Sequence, residues 1–175
     1  DEIAEILADP DAFPIIMRKF SEFNAFAEKA MNRRQFDEAT YHMVESLHLE
    51  KEGSRFRVNI AGLNSALFAG YDGDDKQRLA LGLSQVDRAL KQLDDQALFS
   101  ILFFHHPFPA FHKVDSICQT RLKQKADLIL TGHLHKPDSA VIRDFAGKAI
   151  VIGAGASFES RESRNSFNMV EIDLI

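Results

Sequence analysis

Two short apolar runs set the hydrophobic and polar pattern of this chain. Residues 98–104 (LFSILFF) and 126–130 (ADLIL) are too short for typical helices and end at chain-breaking residues, so both are predicted to be buried strands. Between them, from about Val114 to Lys125, lies a polar, helix-compatible stretch. The order strand, helix, strand implies a parallel pair with a right-handed crossover. Upstream, residues 41–51 and 55–62 read as extended runs joined by a hairpin turn at Glu52-Gly53-Ser54. Residues 84–93 read as a short amphipathic helix, with Ser84 as N-cap, Asp87 in the first turn, and Val86, Leu90 and Leu93 on one face.

The two ends of the chain have different patterns. Residues 1–34 are predicted helical, with Phe13, Ile16, Phe20, Phe23, Ala27 and Ala30 forming a narrow apolar seam. Pro14 fits a first helical turn, and Asp11 can serve near the N-cap. Aromatics at helical spacing are usually core, so this helix is expected to pack on its own domain. A partner-binding or dimer-forming helix, or a lid, is the alternative. After His135 the pattern turns antiparallel: residues 139–145 and 148–152 flank Ala146-Gly147 as a hairpin, and residues 153–157 form a glycine-rich bend. Residues 167–174 then alternate as a final strand, completing a second sheet.

Composition narrows the class. The chain has 175 residues, 45% hydrophobic and 27% charged, which suits a single globular domain with a helical segment at 1–40 and a sheet and site region at 41–175. A net charge of -5 makes nucleic acid an unexpected partner, and no apolar run is long enough for a membrane span. Cys118 is the only cysteine, so no internal disulfide can form, and the expected setting is cytoplasmic.

The histidines bring the chemistry. A lone histidine at a strand end is more often a cap or surface residue than a ligand. Here, however, His105 and His106 follow the first apolar run, and Gly132-His133-Leu134-His135 follows the second. Parallel strands end at the same edge of a sheet, where open α/β sheets bind their ligands, so these groups converge. If the strand stays extended past Gly132, His133 and His135 project to the same side, and with His105 they make a candidate metal site. His42 and His48 are expected to be structural, and His112 an exposed loop residue, with a substrate contact as the alternative. Asn64, at the end of the 56–63 run, belongs either to the same edge or to turn capping.

Gly132-His133-Leu134-His135 resembles the G-H-x-H signature of the calcineurin-like metallophosphoesterases. Phe104-His105-His106-Pro107 is similar to the H-H-P segment of their cyclic-nucleotide phosphodiesterase-like branch. Ile60-Ala61-Gly62-Leu63-Asn64-Ser65 resembles the strand and asparagine-serine turn upstream. The resemblance runs from about Phe56 to the C-terminus. It implies an α/β fold, a two-sheet β-sandwich flanked by helices, of which this chain holds the C-terminal part.

It also implies hydrolysis of a phosphate monoester or diester by a hydroxide activated between two divalent ions, manganese, iron or zinc. Residue by residue, His105 and His133 match ligands of the second metal and His135 a ligand of the first. His106 matches no direct ligand and, with Asn64, is expected either to bind substrate or to support the ligands from behind.

The family's N-terminal D-x-H, G-D-x-x-D and G-N-H-[DE] motifs are absent from this sequence, and Gly73-Asp74-Asp75 reads as a solvated turn. Three neutral imidazoles do not compensate two divalent ions, so the chain alone is expected to be inactive. It opens on Asp1, and a missing N-terminal half, a complementing chain or self-association is expected. The rival expectations are a single-metal three-histidine zinc hydrolase and a non-catalytic interaction domain that keeps the fold.

Overall fold

A computed structural model describes residues 5–6, 9–31, 42–70, 76–133, 149–155 and 168–173. The chain is a mixed α/β protein whose described strands form one five-stranded sheet, in the order β1 (Met43–Lys51), β2 (Ser54–Gly62), β3 (Phe99–Phe104), β4 (Leu128–Thr131) and β5 (Ile150–Gly153). Helices α1 (Ala12–Arg18) and α2 (Ser21–Met31) precede the sheet, α3 (Leu83–Gln92) joins β2 to β3, and α4 (Ser116–Lys125) joins β3 to β4.

β1 and β2 pair antiparallel, and the turn between them places Glu52 at φ 54 and Gly53 at φ 79. Two consecutive positive φ values match the twist of a tight hairpin, which glycine adopts without a Cβ penalty. From β2 onward every pairing is parallel, in register Ile60 to Ile101, Ile101 to Leu128, and Leu128 to Ile150.

Period-two alternation decides which side of the sheet is core. In β3, Ser100, Leu102 and Phe104 are buried towards the helices. They meet Val86 and Ala89 of α3 and Cys118 and Leu122 of α4, with Ala61, Ile129 and Val151 from neighbouring strands. The opposite face is apolar too. Leu47, Phe56, Val58, Ile60, Phe99 and Ile101, together with Ile172, line a shallow cavity of about 300 Å³ there. Inside the helix-side layer, burial pushes the Cys118 thiol up from its ordinary value, and the nearby Asp115 charge adds to the effect.

Asn59 and Asp115 are buried and paired. Asn59 donates to Ser100 Oγ at 3.1 Å and to the Asp94 carbonyl at 3.0 Å, and accepts from the Asp94 amide at 3.1 Å. The Asp115 carboxylate accepts from the Leu81 and Gly82 amides at 2.9 and 3.1 Å. These last bonds move a predicted boundary. Helix α3 starts at Leu83 after Gly82 at φ 80, so Ser84 lies inside the helix and is not its N-cap. Likewise α4 begins at Ser116, because residues 113–115 form a tighter 3-10 turn.

Other expectations are corrected. The N-terminal helix is two helices, broken at Lys19 and Phe20, where the Lys19 ammonium donates to the Leu67 and Ala69 carbonyls at 2.8 and 2.7 Å. The α1 terminus is capped by Asp9, whose Oδ1 accepts from the Asp11 and Ala12 amides, and not by the Asp11 side chain. Of the seam, Phe13, Ile16 and Phe20 are half-buried while Phe23 is 53% exposed, so it packs in part along α1 and opens along α2.

The antiparallel character expected after His135 is not seen in β5, which pairs parallel to β4. Residues 139–145 lie outside the described residues. Residues 168–173 carry no strand, and no second sheet is present among the described residues. No helix among them is long and apolar enough to cross a membrane.

Candidate metal centre

Because β2, β3 and β4 run parallel, their C-terminal ends emerge at one edge, and the residues just past each strand meet there. Asn64 and Ser65 come after β2, His105 and His106 after β3, and Gly132 and His133 after β4. Backbone bonds carry the pairing past the strands: the Leu63 amide donates to the Phe103 carbonyl and the Gly132 amide to the His105 carbonyl, both at 2.9 Å. A Cβ at Gly132 would lie 3.2 Å from His105 Nδ1, so the missing side chain lets that ring sit against the turn.

His105, His106 and His133 each present a ring nitrogen, and the three donor atoms lie within 4.8 Å of one another. Ring centroids are 4.8 Å apart for His105 and His106, 5.3 Å for His105 and His133, and 4.7 Å for His106 and His133. Zinc-imidazole bonds of about 2.0–2.1 Å place tetrahedral donors roughly 3.3 Å apart, so at most about 1.5 Å of closure brings them onto one ion. His105 and His133 are exposed, so their rings have room for that adjustment.

His106 is the fixed member. It is buried, its Nδ1 lies 2.9 Å from Ser65 Oγ, and its backbone amide donates to the same oxygen at 3.1 Å. Ligation through Nε2 requires the tautomer in which Nδ1–H donates to the hydroxyl, and this contact accommodates it. Ser65 is held in turn by its neighbour. The Asn64 amide donates to Gln85 Oε1 at 2.6 Å, and Gln85 Nε2 donates back to the Asn64 carbonyl at 3.1 Å and to the Leu81 carbonyl at 2.7 Å. Helix α3 therefore positions the His106 ring in this cluster through Gln85, Asn64 and Ser65.

The chemistry of the donor set fits a divalent ion. Three imidazole nitrogens can hold a metal ion, and the orientation of one ring is fixed by a hydrogen bond to Ser65. No carboxylate joins this group among the described residues. His133 stands at φ 68, in the left-handed region, which costs a non-glycine residue about 1–2 kcal/mol. Strain held at a ligand is typical of sites that the surrounding structure over-determines.

The predicted site is thus partly redrawn. His105 and His133 are brought together as expected. The extended geometry that was to align His133 with His135 stops at His133, and His135 lies outside the described residues. His106, expected not to be a direct ligand, stands within the donor group itself. Asn64 caps a turn, its Oδ1 accepting from the Ala66 amide at 3.0 Å. Ser65 had a visible signal in the asparagine-serine turn, whereas nothing in the sequence marks Gln85. His42 is buried and bonds to Gln92, a structural histidine as expected. The Gly73-Asp74-Asp75 turn lies outside the described residues.

No family model matches the sequence, and no curated protein matches it. Among solved structures, the chain is similar to a hypothetical protein from Thermus thermophilus, with 16% identity over 70% of this chain and a TM-score of 0.42. This chain spans 44% of that protein's length.

Proposed function

We propose that this chain carries part of the site of a metal-dependent phosphoric-ester hydrolase, in which His105, His106 and His133 hold a divalent ion. The observation that carries the reading is the convergence of three imidazole donors within 4.8 Å at the C-terminal edge of a parallel sheet. The phosphate-ester substrate class draws on the G-H-x-H, H-H-P and asparagine-serine turn resemblance, and so does a second ion involving His135. A second sheet packed on the apolar face lined by Leu47, Phe56 and Ile101 would complete the sandwich, and that apolar lining supports it.

A bound divalent ion supplies Lewis-acid polarisation of a phosphoryl oxygen and lowers the pKa of water. The chain's own residues do the positioning. Ser65 holds the His106 ring through Nδ1, which leaves Nε2 to ligate in this reading, and the exposed His105 and His133 keep the site open to substrate. The carboxylates that would balance two ions come, in this reading, from an N-terminal half or a complementing chain.

The test is metal stoichiometry after loading with zinc or manganese, alongside cleavage of bis(4-nitrophenyl) phosphate. One ion per chain, lost in His106→Ala and His133→Ala, with no turnover by the chain alone, is the expected result. Binding of no ion at all would overturn it.

A single-metal three-histidine zinc hydrolase is a second reading, favoured by one specific fact: all three donors are close enough to share one ion. Zinc-dependent turnover by the isolated chain, abolished in His133→Ala, would select it.

A further inference from the structure

We propose that a second cavity, walled by Ile6, Phe68 and the segments around Arg78–Ala80 and His112–Val114, binds a small organic phosphate with an apolar body. The cavity has a volume of about 530 Å³, within the range of small-molecule sites. Its ionisable lining is one-signed: Arg78, Lys113 and His112 line it, and no carboxylate does among the described residues. On a chain of net charge -5 such a recess stands apart from its surroundings. The rest of the wall is apolar, from Ile6, Phe68, Ala80 and Val114. Cations beside an apolar wall select an amphipathic anion over a bare inorganic one.

Backbone pairing fixes the two segments that carry these groups, and a hydrogen bond orients the His112 ring. The Leu79 amide donates to the Ala110 carbonyl at 3.3 Å and the His112 amide to the Leu79 carbonyl at 2.8 Å, with Leu79 and Phe111 bridged in parallel. Arg78 and the His112-Lys113 pair are therefore pinned side by side on two joined segments. The Val114 amide donates to His112 Nδ1 at 3.3 Å, which leaves Nε2 as the N–H donor of the neutral ring. A guanidinium, an ammonium and an imidazole N–H together offer enough donors for a phosphate head, with arginine able to bind it in bidentate fashion. Neither the ligand nor the lining depends on a metal.

The test uses the full chain in the presence of a chelator, with 1-naphthyl phosphate as the probe, read by its own fluorescence. The chain has no tryptophan to interfere. Saturable binding is expected, weakened about tenfold or more in the Arg78→Gln, Lys113→Gln double variant, since each charge-assisted hydrogen bond is worth roughly that factor. Neutral 1-naphthol should bind at least about tenfold more weakly, and His133→Ala should bind the phosphate as the wild type does. Equal affinity for 1-naphthol, unchanged affinity in the double variant, or no saturable binding would overturn the proposal. Loss of binding in His133→Ala would overturn it too, by moving the ligand to the histidine cluster. The metal stoichiometry above is read without this probe, so the two proposals fail separately.

Discussion

Replacing Ser65 with alanine should damage both the fold and the metal centre, and the two losses can be worked from the geometry. Ser65 is buried, and its hydroxyl makes two contacts with His106, 2.9 Å to Nδ1 and 3.1 Å from the backbone amide. Each such bond contributes about 0.5–1.5 kcal/mol net, and a buried polar group stripped of its partner costs about 1–3 kcal/mol. Two bonds give about 1–3 kcal/mol, the same range as the cost of the stripped partner. As two accounts of one loss they set it at about 1–3 kcal/mol, which for a domain of this size lowers the melting temperature by about 2–12 °C. Losing the partner of a ligating imidazole typically weakens metal affinity about 10- to 100-fold. Thermal unfolding followed by circular dichroism, with and without zinc, reads the first effect, and competition with a chromophoric zinc chelator reads the second. A variant that melts with the wild type and holds zinc equally well would refute the positioning chain from Gln85 to His106.

Other expectations rest on single features. His133→Gly and His133→Ala should lose metal equally, but the glycine variant should be more stable by about 1–2 kcal/mol in denaturant titrations, because φ 68 no longer meets a Cβ. Cys118 should resist alkylation in the native chain and react on unfolding, since burial raises its thiol and denies access. The raised value also means that its stabilising contribution is present below the ordinary thiol range and erodes as pH rises above it; a Cys118→Ala chain should lack that alkaline decline. The Asp9 carboxyl is held below its ordinary value by the Asp11 and Ala12 amides, so the α1 cap should be intact above the usual carboxylate range and lost as pH falls through the lowered value. Amide shifts of Asp11 and Ala12 in an NMR pH titration would report it.

The strands were legible because their signal is local. Residues 98–104 and 126–130 each show an apolar run and a stop, and the observed β3 and β4 lie at those places. The parallel order followed from the intervening helix, and it brought His105 and His133 to one edge. What the sequence pattern misplaced depended on distant partners. Ser84 has the chemistry of a cap, but Asp115, more than thirty residues on, takes the Leu81 and Gly82 amides and lets the helix start earlier. Residues 150–153 also pair with β4 in parallel, in register with Leu128 and Leu130, a non-local partner that the local hairpin pattern does not reveal. The pincer of His133 and His135 assumed extended backbone. A single left-handed residue ends that periodicity, and nothing in G-H-x-H distinguishes the two conformations. The His106 ring is held beside His105 and His133 by Ser65, forty-one residues upstream, a partner that no local pattern reveals.

The spacing of the ligands along the chain also bears on how it folds. His105 and His133 are separated by an entire helix and strand, and they approach one another only after β3 and β4 have paired. Such non-local closure comes late on the route to the native state, since the loop entropy is spent before the contact forms. An ion arriving during synthesis or refolding therefore finds only local pairs, His105 with His106 or His133 with His135, too little to template the sheet. Bound metal should then act as a latch on a finished structure: it slows the unfolding rate while the refolding rate stays the same with or without it.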